Sequence, residues 1–175
     1  MYRHMEIPEG DTSIYELVNG TIVKRASPHS IHQIVVSNIH FLLRQYIDPR
    51  ALGRVLVAPL DVYFEEENVP HTDVFFIKKD REKIIELNGP VWGSPDLIVE
   101  VISEGTAKND RFFKKNLYEK FNVQEYWIAD PPSKSVEIYT LVDGSYKLLD
   151  IVEIDGILKS QLIDGFEVNV KDIFK

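Results

Sequence analysis

An apolar stretch interrupted by two acids lies between residues 93 and 103, where Gly93-Ser94-Pro95 precedes the run Asp96-Leu97-Ile98-Val99-Glu100-Val101-Ile102. Short apolar runs that follow turn residues are typical of buried β-strands. Because side chains alternate across a strand, Asp96 and Glu100 share one side with two isoleucines, and the other side is wholly apolar. Two carboxylates in such a strand are costly to bury alone. The pattern therefore predicts basic partners, hydrogen-bond donors or a divalent cation beside them.

The rest of the pattern predicts a hairpin, two helices and further strands. The helices are expected from Ile31 to about Ile47 and from about Ala107 to Phe121, where Phe113, Leu117 and Phe121 should face the core. The strands are expected at Ile14–Arg25 (the hairpin, turning at Asn19-Gly20), Gly53–Phe64, Val69–Ile77, the run at 96–102, Val123–Ala129, Ser135–Val142, Tyr146–Ile154, Ile157–Leu162 and Phe166–Val170.

This order favours an α/β (α+β) fold in which a mixed central β-sheet is flanked by helices. An N-terminal hairpin and extra C-terminal antiparallel strands complete it. With 175 residues, one domain is expected over residues 1–175, with its core at about 31–130.

Composition narrows the classes of function. The chain has no cysteine, which excludes thiol nucleophiles and Cys-ligated metal sites. It shows no apolar run near the roughly 20 residues of a membrane span and no signal-peptide pattern, so a cytoplasmic protein without membrane contact is expected. A net charge of −8 argues against a simple basic clamp on nucleic acid. It is compatible with clustered acids that hold cations.

Candidate chemistry rests on acids in successive predicted strands. Phosphate loops, serine-hydrolase elbows and zinc-protease motifs are missing from the sequence. If the strands are neighbours, acids from them can converge at one end of the sheet, and such oxygen ligands suit Mg²⁺ or Mn²⁺. The acids concerned are Glu16, Asp61, Asp73, Asp96 and Glu100.

Several motifs, in order along the chain, resemble the Uma2 family, also called DUF820, of restriction endonuclease-like proteins. They are Tyr15-Glu16-Leu17-Val18-Asn19-Gly20, Ser27-Pro28 with His32, Ala58-Pro59-Leu60-Asp61-Val62, Pro95-Asp96-Leu97 through Glu100-Val101-Ile102-Ser103, the row Asp110, Lys114, Tyr118, and Val123-Gln124-Glu125-Tyr126-Trp127-Ile128-Ala129-Asp130-Pro131. The resemblance covers about residues 14–174. It implies the restriction endonuclease-like fold of the PD-(D/E)XK nuclease superfamily, whose core is helix, three strands, helix, strand.

The resemblance also implies a Mg²⁺- or Mn²⁺-dependent endonuclease that hydrolyses phosphodiester bonds in DNA, and it allows for a homodimer. Asp73 and Glu100, with Asp96 beside them, are the implied metal ligands. The superfamily usually carries a lysine two residues after the second acid, but Ile102 stands there. Lys114 on the next helix matches the lysine of the family's own row and would replace it. Glu16 completes the set of candidate catalytic residues.

Each candidate also has an ordinary structural explanation. Asp110 and Lys114 could form a helix-surface ion pair worth about 0.2–0.5 kcal/mol. Asp96 could satisfy turn amides, Glu16 could pair with Arg25, and Asp61 is equally ambiguous. His32 is expected to be a hydrogen-bonding residue rather than a ligand.

Two other functions remain open alongside the nuclease. The acids could be remnants in a catalytically inactive nuclease-fold domain that binds nucleic acid or another protein. A phosphatase-like enzyme acting on nucleotides would also suit the acidic charge.

Overall fold

The computed structural model describes residues 14–18, 20–25, 29–103 and 109–175. The helices are α1 Ser30–Ile47, α2 Lys115–Lys120 and α3 Val170–Ile173, with 3-10 helices at Asp48–Arg50 and Lys79–Ile84 and a π-helix at Asn109–Lys114. The strands are β1 Ile14–Val18, β2 Thr21–Arg25, β3 Gly53–Val57, β4 Val62–Tyr63, β5 Val74–Lys78, β6 Val91–Trp92, β7 Leu97–Val101, β8 Glu125–Asp130, β9 Ser135–Val142, β10 Ser145–Glu153, β11 Ile157–Lys159 and β12 Glu167–Asn169.

A six-stranded sheet in the order β10-β9-β8-β7-β5-β3 forms the centre of the fold. Its strands pair antiparallel except β7 and β8, which are parallel. The chain order α1, β3, β5, β7, π-helix with α2, and β8 is the expected helix, three strands, helix, strand. The predicted mixed sheet flanked by helices is therefore confirmed.

Strand β7 lies in the middle of this sheet and is buried on both faces. Leu97, Val99 and Val101 pack into one apolar cluster with α1. Ile98 and Ile102 pack into a second cluster with α2. The predicted alternation is correct, and it places Glu100 on the face covered by the π-helix and α2.

The long strand expected from Gly53 to Phe64 is wrong. Strand β3 ends at Val57, and β4 belongs to a separate two-stranded sheet with β6. Pro59 lies between them and has no N–H to donate to a ladder, which explains the break. Asp61 therefore lies outside the central sheet.

The second helix differs from its prediction in geometry and at one core position. Its first described turn is the wide π-helix Asn109–Lys114, which is followed by the short α2. Leu117 is buried and Phe121 packs against the second apolar cluster, as expected, but Phe113 has 60% of its surface exposed. The row Asp110, Lys114, Tyr118 also faces inward. The predicted turn at Glu104-Gly105 and cap at Thr106 lie outside the described residues.

The outer strand β10 has two of its backbone amides covered by carboxylates. The amide of Tyr146 donates to Glu119, and the amide of Ile151 donates to Oδ1 of Asp150 at 2.8 Å. A break in register between Leu148 and Asp150 also interrupts its pairing with β9. These contacts occupy donors that a sheet edge otherwise presents to solvent.

In the part of the chain that the structure describes, no helix has the length and apolar character needed to cross a lipid bilayer. The expectation of one domain over residues 1–175 stays a prediction.

Candidate functional site

The antiparallel register of β5 and β7 brings Asp73 beside Glu100. Val74 pairs with Val99, so Asp73, which directly precedes β5, lies next to the residue that follows Val99. Oδ2 of Asp73 accepts a hydrogen bond of 2.8 Å from the amide of Val101. One of the two expected acids is thus fixed by the backbone of the strand that carries the other.

Glu100 is fully buried and is held from the helical side of the sheet. Its Oε1 lies 2.9 Å from Nζ of Lys114 and accepts a hydrogen bond of 2.6 Å from the hydroxyl of Tyr118. Both donors come from the π-helix and α2, at the four-residue spacing of the inward row. Charge-assisted bonds of this kind are about twice as strong as neutral ones.

Lys114 is the second fully buried charged residue of the site. Besides the contact with Glu100, Nζ donates a hydrogen bond of 2.9 Å to the carbonyl oxygen of His71 and lies 3.6 Å from Oδ1 of Asp110. Asp110 is itself 99% buried. The interpretation of Asp110 and Lys114 as a helix-surface ion pair is therefore wrong.

His32 of α1 closes the other side of the site. Its Nε2 lies 3.1 Å from Oδ2 of Asp73, which agrees with the expected hydrogen-bonding role. The side chain of His32 is 12% exposed, against 6% for Asp73 and none for Glu100 and Lys114. Among these four side chains, exposure is greatest at His32 on α1.

Among the described residues, the cluster formed by Asp73, Glu100, Asp110 and Lys114 brings three carboxylates to one ammonium. The phenol of Tyr126 lies near these acids. Burial raises the pKa of this phenol well above the usual range, and the charges of Glu100 and Asp110 raise it further. A buried excess of negative charge is costly unless a cation balances it.

The donor chemistry of the cluster fits a hard cation. Carboxylate oxygens are the ligands that Mg²⁺ and Mn²⁺ prefer, and Mg²⁺ is often held by only one or two of them together with water. Asp73 and Glu100 supply such a pair. Among the described residues, no group of three or more His, Asp or Glu side chains has the spacing to hold a metal ion. The fit therefore rests on two carboxylates and on the charge of the cluster.

Asp96 is not brought to this cluster. It is fully buried, and its carboxylate accepts hydrogen bonds from the amide of Lys78 at 2.9 Å and from Arg81 at 2.8 Å. It precedes β7, and four residues of extended chain span roughly 13 Å. The geometry favours the structural explanation of Asp96, in which it ties the 3-10 helix Lys79–Ile84 to the sheet.

Of the two remaining candidates, only Asp61 has a side chain that the structure describes, and no described contact joins it to the cluster. Asp61 is half-buried between β3 and β4, and its backbone carbonyl accepts a hydrogen bond from the amide of Val91. The backbone of Glu16 lies in β1, but its side chain is outside what the structure describes. Its predicted catalytic role stays a prediction.

Three contributors to the site were missing from the sequence-based set. They are the carboxylate of Asp110, the hydroxyl of Tyr118 and the backbone carbonyl of His71. The first two carried a usable signal, since they flank Lys114 at a spacing of four on one helix face. The carbonyl of His71 carried none, because any residue type supplies one.

The sequence was also compared with known protein families. The family model Uma2, described as "putative restriction endonuclease", matches residues 1–171, which is almost the whole chain. The chain belongs to the Uma2 family. The resemblance expected from the motifs is thereby confirmed.

Among solved structures, the Uma2 chain is similar to a protein from Anabaena variabilis described as a "putative nuclease belonging to DUF820". The two share 19% sequence identity with a TM-score of 0.75, over 91% of this chain and 89% of the other. At this identity the likeness shows the fold alone. No curated protein matches the sequence. The descriptions of the Uma2 family and of this neighbour both name a nuclease.

Proposed function

We propose that the protein is a metal-dependent endonuclease that hydrolyses phosphodiester bonds in DNA. The observation that carries the proposal is the buried meeting of Asp73, Glu100 and Lys114. These residues come from three separate elements, and the lysine reaches Glu100 from the π-helix although position 102 is isoleucine.

In this proposal Asp73 and Glu100 hold Mg²⁺ or Mn²⁺. The bound ion would acidify water and offset charge that develops on the phosphate. Asp73 is kept in place by the amide of Val101 and by His32. Lys114 supplies a fixed positive charge beside Glu100, where it can orient the attacking water or stabilise an anionic oxygen.

The surroundings of the site suit this chemistry because they hold the groups rigidly. Lys114 is anchored by the carbonyl of His71, and Glu100 by Tyr118. Preorganised groups need no rearrangement when charge develops, which is the main source of electrostatic catalysis. A DNA substrate also agrees with the expected cytoplasmic location.

Cleavage of supercoiled plasmid with Mg²⁺, with Mn²⁺ and with EDTA tests the proposal. We expect metal-dependent nicking that falls by on the order of 10²–10³-fold in Glu100→Gln and in Asp73→Asn. Glu153→Gln, which changes an exposed acid on β10, is the matched control and should retain full activity. Cleavage by Glu100→Gln at the rate of the unaltered protein would assign the activity elsewhere.

A non-catalytic module is the second candidate, and the direct ion pair between Lys114 and Glu100 favours it, since it partly neutralises the acid without a metal. Binding of DNA or a protein partner that persists in Glu100→Gln, together with no metal-dependent cleavage of DNA or RNA, would support it. A homodimer stays a prediction, which sedimentation of the purified protein tests.

A further inference from the structure

The π-helix Asn109–Lys114 turns two charged residues inward and two aromatic residues outward. Asp110 and Lys114 are almost completely buried, whereas Phe112 and Phe113 are 62% and 60% exposed. Exposing aromatic side chains forgoes the stabilisation of burying them. The helix therefore gives up apolar burial to place a charged pair at the site.

The backbone at Asp110 is held from two directions. The hydroxyl of Tyr126 donates a hydrogen bond of 3.0 Å to the carbonyl of Asp110. Next to it, Arg111 binds outward, with Nε donating to Glu137 at 2.8 Å and a terminal nitrogen donating to Asp130 at 3.0 Å. The carboxylate of Asp110 is thus presented from a fixed point.

The contact that this carboxylate makes is with Lys114. Oδ1 of Asp110 lies 3.6 Å from Nζ, and among the described residues neither oxygen of Asp110 accepts a hydrogen bond. The ammonium consequently lies between two carboxylates, those of Glu100 and Asp110. In low-dielectric surroundings such a charge is attracted strongly to both.

We propose that Asp110 is a positioning residue for Lys114: it holds the ammonium beside Glu100 while Glu100 serves the metal. The inference rests on the proposed function, in which Glu100 is shared with a cation. The carboxylate of Asp110 lies one turn away on the same helix and, among the described residues, accepts no hydrogen bond. It therefore holds the ammonium in place when Glu100 binds the metal. Asp110 thereby acts through Lys114 and not on the substrate.

A double-mutant cycle over Asp110→Asn and Lys114→Met tests this role. We expect Asp110→Asn to lower kcat on plasmid DNA by on the order of 10²-fold, because a displaced catalytic group costs about that much, with KM and Mn²⁺ affinity unchanged. In the Lys114→Met background the same substitution should cause no further loss. Asp110→Glu, which keeps the carboxylate, should restore part of kcat.

The matched control is Asp48→Asn, because Asp48 pairs with Arg44 at the same spacing of four but on the exposed surface. It should leave kcat unchanged. Two results would overturn the proposal: losses that multiply independently in the double variant, or a fall of about tenfold or more in Mn²⁺ affinity for Asp110→Asn, since a loss of that size marks a metal ligand or its direct support.

Urea unfolding of the four proteins of the cycle (unaltered, the two single variants and the double variant) gives a readout that needs no activity. The pairing predicts that Asp110→Asn lowers the free energy of unfolding of the unaltered protein. In Lys114→Met, where two carboxylates face no ammonium, the same substitution should restore part of the lost free energy of unfolding. If the unaltered protein does not cleave DNA, the proposed function fails. Additive destabilisation in this cycle would still overturn the pairing by itself.

Discussion

Two buried glutamates on neighbouring strands of the central sheet are held in opposite ways. Glu125 of β8 accepts four hydrogen bonds of 2.7 to 2.9 Å from neutral donors: the indole of Trp127, the hydroxyl of Ser160 and the amides of Gln161 and Leu162. Glu100 of β7 is held by the ammonium of Lys114 and the phenol of Tyr118. Burial of an acid therefore does not by itself mark a functional site, and the two acids differ in the nature of their donors.

The donors decide what each carboxylate can do. Those of Glu125 are fixed backbone and side-chain groups that tie the loop at residues 160–162 to the sheet. Burial raises the pKa of Glu125, and the four hydrogen bonds oppose that rise. Those of Glu100 are ionisable groups on one helix face, and among the described residues they lie in a cluster of three carboxylates and one ammonium. The proposed function assigns a cation to the second arrangement and none to the first.

The sharpest way to break the comparison is the same substitution at both glutamates. Glu125→Gln should lower the free energy of unfolding by about 3 kcal/mol. The substitution replaces one carboxylate oxygen by an NH₂ group, so the donors that bonded to that oxygen lose their acceptor. Cleavage per folded molecule should be unchanged. Glu100→Gln should do the reverse and remove cleavage while the protein stays folded.

Urea unfolding and plasmid cleavage on the same preparations make this measurement. Full stability of Glu125→Gln would contradict the structural role, and loss of cleavage in a fully folded Glu125→Gln protein would contradict the distinction between the two acids.

A third buried acid, Asp96, extends the comparison, with an expected effect on stability of intermediate size. It is held by Arg81 and a backbone amide, so Asp96→Asn should destabilise the protein by about 2 kcal/mol, the scale of a hydrogen bond to a charged group. We expect Mn²⁺ affinity, measured by calorimetry, and cleavage to be unchanged. Weakened Mn²⁺ binding by Asp96→Asn would instead support Asp96 as a metal ligand. The paired control is Arg81→Met, which removes the guanidinium that bonds Asp96 and keeps the carboxylate.

The smallest expected effect concerns the second donor to Glu100. Tyr118→Phe removes one hydroxyl and should cost about 1.5 kcal/mol of stability, since the hydroxyl bonds a charged acceptor. Cleavage should fall less than in Lys114→Met, because the charge beside Glu100 is kept. Tyr146→Phe, which removes a buried hydroxyl that donates to the carbonyl of Val123, is the matched control for stability. Equal losses of cleavage in Tyr118→Phe and Lys114→Met would contradict the proposal that the charge of Lys114 is needed for cleavage.

Much of the fold could be predicted because it follows from local pattern. The alternation in β7 placed Glu100 on one face correctly. Asp73 was paired with it through the family resemblance, and the antiparallel pairing of β5 and β7 brings the two together. The helix at Ser30–Ile47 followed from apolar spacing and ended at Asp48-Pro49, where a 3-10 helix begins. Lys114 was identified through the family resemblance rather than through its surroundings.

What could not be predicted depends on contacts distant in sequence. The burial of a glutamate in an apolar strand favoured function at Glu100. The same reasoning fails for Glu125, because three of its four donors lie 35 to 37 residues further along the chain. On the second helix the apolar spacing located Leu117 and Phe121 correctly but not Phe113, which is exposed. The burial of Lys114 depends on partners on other elements, namely Glu100 and His71. The break at Pro59 was visible in the sequence and should have ended the strand.

The carboxylates that cover the amides of β10 bear on how copies of the chain behave at high concentration. An outer strand with free donors recruits the edge of another molecule, which is a common start of aggregation. Here Glu119 and Asp150 occupy two of those donors, and the irregular register near Leu148 bends the ladder. These features leave fewer backbone donors on β10 for the edge of a second copy to pair with.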